Sequence, residues 1–386
     1  MKIVEIQRFP IRMKPVKFGY RAEDELSKIA RVETVIIRVI TDSSVVGFGE
    51  AGSIASYLNQ TRGGLLDWLE AYSIALVGAD ALNLNEINRR LDKVSGEFPP
   101  GCQPARAAID MAMHDIVGKA RGIPVYEVLG GAYRTELELQ TNLYEETPEE
   151  KAAAAREFVE RGFAGLKVKI GDSIILDGRS GENLEREKQK LLAVLQTVGP
   201  EIYVDADANQ SWANAGQVRG IFASILDERF YGNLSLEQPL HHLNLRGHAE
   251  LREALAIPIV LDESVVSPEA MMQIANTGAA DRIVLKASRV GGLQKAQQIV
   301  NICEAAAIGV SIDTMPFTKL GDAAHCHLAA TIRDHYPIDA EGHLWFEKTP
   351  FAGGFSLADG RAILGDAPGL GVELDEDALA VLSIDL

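Results

Sequence analysis

The sequence offers little sulfur chemistry. Its three cysteines, Cys102, Cys303 and Cys326, lie far apart and form no C-x-x-C pair, which argues against a disulfide framework and a structural zinc site. Reduced, buried thiols in a cytoplasmic protein are the expectation. No apolar run approaches the roughly 18 residues of a membrane span. The opening MKIVEIQRFPI lacks the apolar stretch of a secretory signal. Positive charge is scarce as well: 38 Lys and Arg stand against 55 Asp and Glu, a net charge of −17. Nucleic-acid binders need a basic surface that displaces counterions, so DNA and RNA are not expected partners. Anionic membranes are disfavoured for the same reason. A small acidic substrate is not, because a few lysines and a metal can dominate one pocket.

What is present is a long, ordinarily apolar chain: 386 residues, 47% hydrophobic. That length exceeds a single small core and predicts one large barrel with a smaller domain. Strand-like alternation covers Lys2–Arg12, Arg31–Thr41 and Val45–Glu50. Helical patterns follow at Gly63–Val77, Asn83–Lys93 and Pro104–Lys119. From Leu137 short β-rich runs alternate with helical stretches. The runs are Leu137–Thr141, Gly165–Ile170, Ile202–Asp207, Leu234–Glu237, Ile257–Asp262, Arg282–Leu285 and Gly309–Asp313, with a last one near Ile338–Ala340. Such alternation predicts a parallel sheet closed into an α/β barrel.

Barrel enzymes place their chemistry where the strands end. Those ends read Lys167 and Lys169, Asp207, Glu237, Asp262, Lys286 and Asp313. Steps of 38, 30, 25 and 24 positions separate Lys169, Asp207, Glu237, Asp262 and Lys286, each about one β/α repeat. Three carboxylates from adjacent strands repel unless a cation neutralises them. All-oxygen donors select Mg²⁺ first and Mn²⁺ second. Lys167 and Lys169 share a face by the period-two rule, and neighbouring ammonium groups should lower each other's pKa toward a usable base. Lys286 comes from the opposite side of the barrel. A carboxylate substrate on the metal would lie between two amines, which fits removal of the proton alpha to that carboxylate.

At these residues the chain resembles the enolase superfamily, in its muconate lactonizing enzyme subgroup. The resemblance is carried in order by KVKIG (167–171), DANQSW (207–212), LEQPL (236–240), LDES (261–264) and KASRVGGL (286–293). It implies a modified TIM barrel, (β/α)7β, over roughly 126–352. An N-terminal α+β capping domain at 1–125 would be completed by a returning segment at 353–386. It also implies Mg²⁺ on Asp207, Glu237 and Asp262, with Lys169 and Lys286 as the acid/base pair and Lys167 as auxiliary. Asn209 and Glu263 would support the ligands from behind. Family members are oligomers, often octamers, and a homo-oligomer is expected here. The seventh strand end reads SIDTMPF without the histidine of the mandelate racemase subgroup. Asp313-Thr314-Met315 also lacks the Asp-x-Asp of dipeptide epimerases, which argues against a dipeptide. One aspartate there still suits a substrate ammonium, as in proline-like or other amino-acid derivatives.

The expected reaction is therefore racemisation or epimerisation. Syn-dehydration or cycloisomerisation is the alternative, and a non-catalytic barrel the remote one. Asp313 stands evenly between substrate contact and capping. Tyr20 and Tyr57 fall on expected lid loops, Lys14–Lys28 and Gly52–Gln60, as weaker substrate contacts. His325 and His327 are two apart on a helix and point to different sides, so packing is the expectation. His241-His242 reads as surface loop, and Gly291-Gly292 as a tight turn rather than a phosphate loop.

Overall fold

The computed structural model describes residues 1–16, 32–53, 59–96, 101–171, 184–223, 225, 232–334 and 336–385. The alternating N-terminal residues form an antiparallel sheet of β1 (Ile3–Arg12), β2 (Glu33–Thr41) and β3 (Val46–Gly52). Its apolar face (Val35, Ile37 and Val39 on β2) packs against helices Arg62–Leu76, Leu84–Ser95 and Gln103–Arg121. Thr61 and Asn83 cap the first two through side-chain oxygens, satisfying amides that a helix start leaves open.

The stretch expected as one strand, Leu137–Thr141, is two: β4 (Glu136–Glu138) and β5 (Gln140–Leu143). β4 pairs with Arg361–Leu364 near the C-terminus, whereas β5 opens the barrel. Both alternate, so periodicity alone does not reveal where one sheet hands over to the other. The barrel continues as β6 (Gly165–Lys169), β7 (Tyr203–Asp207), β8 (Leu234–Glu237), β9 (Ile259–Leu261), β10 (Arg282–Leu285) and β11 (Gly309–Ile312). These seven strands form one sheet in sequential order, every pair parallel. The last run closes the ring. Ile338 exchanges hydrogen bonds with β4–β5 (Gln140 N to Ile338 O and Ile338 N to Glu138 O, both 2.9 Å), and Asp339 N reaches Ile312 O on β11 at 3.1 Å.

Register fixes which residues look inward. Lys167, Asp205 and Ser235 stand side by side on β6, β7 and β8, with Lys169, Asp207 and Glu237 in the next row up. The intervening Leu166, Val168, Val204, Ala206, Leu234 and Leu236 are buried against the outer helices. The C-terminal residues return to the cap: Ile11 bridges Ser383, and Ile384 N bonds Pro10 O at 2.9 Å.

Buried hydrogen bonds join cap and barrel. Glu50 on β3 accepts hydrogen bonds from Thr318 and Gly321, at the start of helix Lys319–Ala330. Asp110 on the cap helix accepts from Gln294 N at 3.2 Å. Gly291 and Gly292 (φ 98° and 116°) lie under that helix. A Cβ at Gly292 would come within 2.5 Å of Asp110, so the pair serves the expected tight turn and a close helix contact together. His325 Nε2 accepts from Ala287 N, and His327 Nδ1 from Tyr126 N, the packing role expected of them. The described part of the first lid segment, 14–16, docks on the chain beyond the closing run through Val16 N to Trp345 O at 2.8 Å. Tyr20 and Tyr57 lie outside the described residues.

Candidate active site

Each expected charged strand end points into one mouth. Lys169 on β6 is ion-paired with Asp207 on β7. Across the barrel, Lys286 Nζ sits 2.6 Å from Asp262 and 2.8 Å from Asp313. Lys167, fully buried, lies between them, 2.9 Å from Glu237 and 3.2 Å from Asp313. Arg289 Nη1 donates to Asp262's backbone oxygen at 2.9 Å and to its carboxylate.

Ligand atoms of Glu237, Asp262 and Asp313 all fall within 4.8 Å of one another. This tight cluster shares two members with the expected trio and has Asp313 where Asp207 was expected. Asp207 stands opposite Glu237 in register, one row from Lys167, and accepts from Asn209 N at 2.9 Å. Asn209 Nδ2 reaches Glu263 Oε1 at 3.3 Å, which ties the loop after β7 to the loop after β9. Gln238, in the left-handed region at φ 36°, accepts from Asp262 N and Ser264 N. Its amide oxygen thereby fixes the backbone that presents Asp262.

The lysines correct one expectation. Burial pulls each ammonium down, but facing carboxylates push harder. Asp207 raises Lys169 well above the usual lysine range, Asp313 and Glu237 do the same to Lys167, and Asp262 raises Lys286. Like-charge repulsion between Lys167 and Lys169 is the smaller effect. The carboxylates divide in turn. Burial and then Asp207 push Glu237 up. For Asp313 burial pushes up, but Lys167 and Lys286 win and hold it well below the usual range.

Two acids at the closing run escaped the sequence reading. Asp339 accepts from Asn142 Nδ2 at 2.6 Å, and Glu341 from Thr141 Oγ1 at 2.8 Å. Burial, then Asp313, raises Asp339 far above its ordinary value, and burial raises Glu341 to about 7. Tyr144, its ring centroid 5.9 Å from Lys169 Nζ, was also missed. Asp205, Asp207, Glu237, Asp262, Glu263, Asp313, Asp339 and Glu341 thus crowd four cations, Lys167, Lys169, Lys286 and Arg289. Such an excess of buried negative charge suits external cations, and carboxylate oxygens without sulfur or imidazole suit a hard one.

Comparison with known proteins agrees with this geometry. Residues 12–130 match the mandelate racemase/muconate lactonizing enzyme N-terminal domain, and residues 150–378 the enolase C-terminal domain-like model. The chain belongs to this family. Among mandelate racemase/muconate lactonizing enzyme relatives, the hydrophobic dipeptide epimerase of Enterococcus faecalis is 30% identical over 371 residues, covering 96% of this chain and 99% of the epimerase. The crystal structure of that epimerase with Mg and L-Leu-L-Tyr matches with a TM-score of 0.83 at 27% identity, over 97% of this chain and 100% of that one. N-succinyl Arg/Lys racemase from Bacillus cereus matches with a TM-score of 0.88 at 26% identity, over 100% and 99% of the two chains. Muconate lactonizing enzyme from Pseudomonas putida gives 0.87 at 27% identity, with both chains fully covered. The mandelate racemase/muconate lactonizing enzyme fold thus spans the chain, and the protein is an enzyme of the enolase superfamily.

Proposed function

We propose that this enzyme inverts the configuration of a carbon alpha to a carboxylate, in an amino-acid-derived substrate, by moving a proton on and off both faces of that carbon. The observation that carries this reading is the placement of Lys169 and Lys286. They lie four strands apart in the barrel, each ion-paired with a different carboxylate at the same mouth. Lys169, as the free amine, breaks the C–H bond on one face and keeps the proton on Nζ. Lys286, as the ammonium, gives a proton to the same carbon from the other face, and the roles exchange in the reverse direction. Lys167, locked between Glu237 and Asp313, neutralises the carboxylates between the two bases.

Asp207, Glu237 and Asp262 would hold Mg²⁺, or Mn²⁺, in preference to a set containing Asp313. Two ammonium groups and Asp339 already engage Asp313, whereas Asp207 has one ammonium partner and a backbone amide. When bound, the cation supplies positive charge where the enediolate's charge develops on the substrate carboxylate. Asp313 and Asp339 then suit a substrate ammonium or other cationic group. That revives a dipeptide as one substrate class, because the acid pair Asp339-x-Glu341 stands on the closing run. The working form we propose is a cytoplasmic homo-oligomer, octamer or dimer, with cap 1–125, barrel 126–352 and return segment 353–386.

The test is incubation of dipeptides and N-acylated amino acids with enzyme and Mg²⁺ in D₂O. Deuterium at the alpha carbon with inverted configuration is the expected result. Loss of water or ring closure without inversion would move the enzyme to the lyase side of the family. Absence of exchange with every substrate would end the proposal.

A further inference from the structure

Helix Lys319–Ala330 carries two buried histidines two positions apart, His325 and His327. Both nitrogens of each ring are engaged, but against different parts of the molecule. His327 Nδ1 accepts from Tyr126 N at 3.2 Å, and its Nε2 lies 3.4 Å from Leu370 O. Those two segments carry none of the charged residues of the mouth. His325 is set otherwise. Its Nδ1 lies 2.8 Å from Gly321 O and must donate, because a carbonyl oxygen can only accept. Nε2 accepts from Ala287 N at 3.1 Å and therefore carries no proton. The partners thus fix one neutral tautomer, and burial lowers the ring's pKa, which keeps it in that accepting form.

The angle of the ring is fixed as well. It stacks on Phe317, with centroids 5.6 Å apart and planes 20° from parallel. Phe317 comes so near this helix that a Cβ on Gly321 would meet its ring at 2.6 Å. Gly321 N in turn donates to Glu50 Oε2 at 3.1 Å, so the cap anchors the turn on which His325 rests.

What His325 grips is the amide immediately after Lys286. Lys286 is extended and precedes the one-turn helix Ala287–Val290, to which its side chain gives no cap. A helix start leaves its first amides without backbone acceptors, and the imidazole takes the first of them. That turn presents both cations of Asp262: Lys286 Nζ at 2.6 Å, and Arg289 ion-paired with the same carboxylate. A carboxylate in the place of His325 would compete for the Lys286 ammonium. A neutral imidazole satisfies the amide and leaves that ammonium to Asp262 and Asp313.

We propose that His325 is a positioning residue for Lys286, pinning the amide of Ala287 so that the turn aims Lys286 and Arg289 at the mouth. This rests on the reading of Lys286 as one of the two acid/base amines. Small displacements of such a group are costly, because proton transfer needs close and well-aligned atoms.

Two measurements test it. The first needs no substrate: NMR of the lysine ammonium groups in ¹⁵N-lysine-labelled protein, with Lys286 assigned by its absence in Lys286→Arg. His325→Phe keeps a ring on Phe317 and removes the acceptor. It should shift and broaden the Lys286 signal and leave that of Lys169 in place. His327→Phe is the matched control, an equally buried histidine on the same helix, and should leave both signals unchanged. The second is deuterium exchange in D₂O with the dipeptides and N-acylated amino acids named above. His325→Phe should slow exchange about tenfold more on the face that Lys286→Ala silences than on the Lys169 face. That ratio is independent of how much of a sample is folded. His325→Leu removes the acceptor with a smaller side chain and takes the place of His325→Phe if the phenyl ring does not fold. His325→Gln offers Oε1 to Ala287 N and should restore both readouts most of the way. An unchanged Lys286 signal in His325→Phe overturns the proposal, whatever the melting temperature does. Equal losses in His325→Phe and His325→Gln would assign the effect to ring packing and overturn it too. If the wild type exchanges none of the substrates, the proposed reaction falls, and the ammonium signal alone decides whether His325 holds Lys286.

Discussion

The two flanks of the mouth are built unequally. Lys169 pairs with one carboxylate, faces Tyr144, and keeps 25% of its side chain exposed. Lys286 is 7% exposed, sits between Asp262 and Asp313, and has Arg289 on the far side of Asp262. A buried ammonium between two carboxylates is held in place and in its charged form. A partly exposed ammonium beside one carboxylate is held by fewer partners and moves more freely. The difference teaches that a reaction symmetric on paper would run here between one fixed amine and one looser one.

Removing either amine should break the comparison most severely. Lys169→Ala and Lys286→Ala are each expected to lower inversion by about 10²–10⁴-fold. Each variant should still wash deuterium into one enantiomer, and into opposite enantiomers, as read by proton NMR. Exchange into the same enantiomer in both variants would deny the lysines opposite faces. Next in size is the ligand choice. Asp207→Asn should weaken Mn²⁺ binding about 10- to 100-fold, and Asp313→Asn much less, as followed by calorimetric titration. The reverse order would hand the metal to the tighter cluster that includes Asp313. Arg289→Lys sharpens the asymmetry itself, because lysine cannot bond Asp262's carboxylate and backbone oxygen in one plane. It should slow proton return on the Lys286 face several-fold more than on the Lys169 face.

The smallest expected effect is at the cap seam behind the Lys286 flank. Burial raises Glu50 from 4.5 to about 7 despite its bonds to Thr318 and Gly321. A carboxyl with a raised native pKa adds stability that is complete below 4.5 and is lost as pH climbs through about 7. Glu50→Gln keeps an acceptor for those amides and removes the titration. Its stability should be flatter across that window by about 1–3 kcal/mol, as measured by urea unfolding at several pH values.

The legible parts of this molecule are those where a period meets a charge. Alternation placed Lys167 and Lys169 on one face, and repeat spacing aligned Asp207, Glu237, Asp262 and Lys286 at one end, because a parallel barrel repeats both. Asp339 and Glu341 stayed hidden since the closing run pairs through little more than Ile338 and is too short to show a period. The handover at Leu139 was hidden for the opposite reason, one unbroken alternation serving two sheets. Tyr203, Asp205, Ser235 and Arg282 read only as members of the strand runs Ile202–Asp207, Leu234–Glu237 and Arg282–Leu285. Their hydrogen bonds join positions 203, 205, 235 and 282, a proximity that no local pattern encodes.

The ring of strands has a clasp. Its last link is a few backbone bonds around Ile338, and the next residue along is Asp339, whose carboxylate leans on Asn142 of β5. A guest gripped by Asp339 would press the clasp shut. The amide protons of Gln140 and Ile338 are then the ones whose exchange with solvent should report that a guest has arrived.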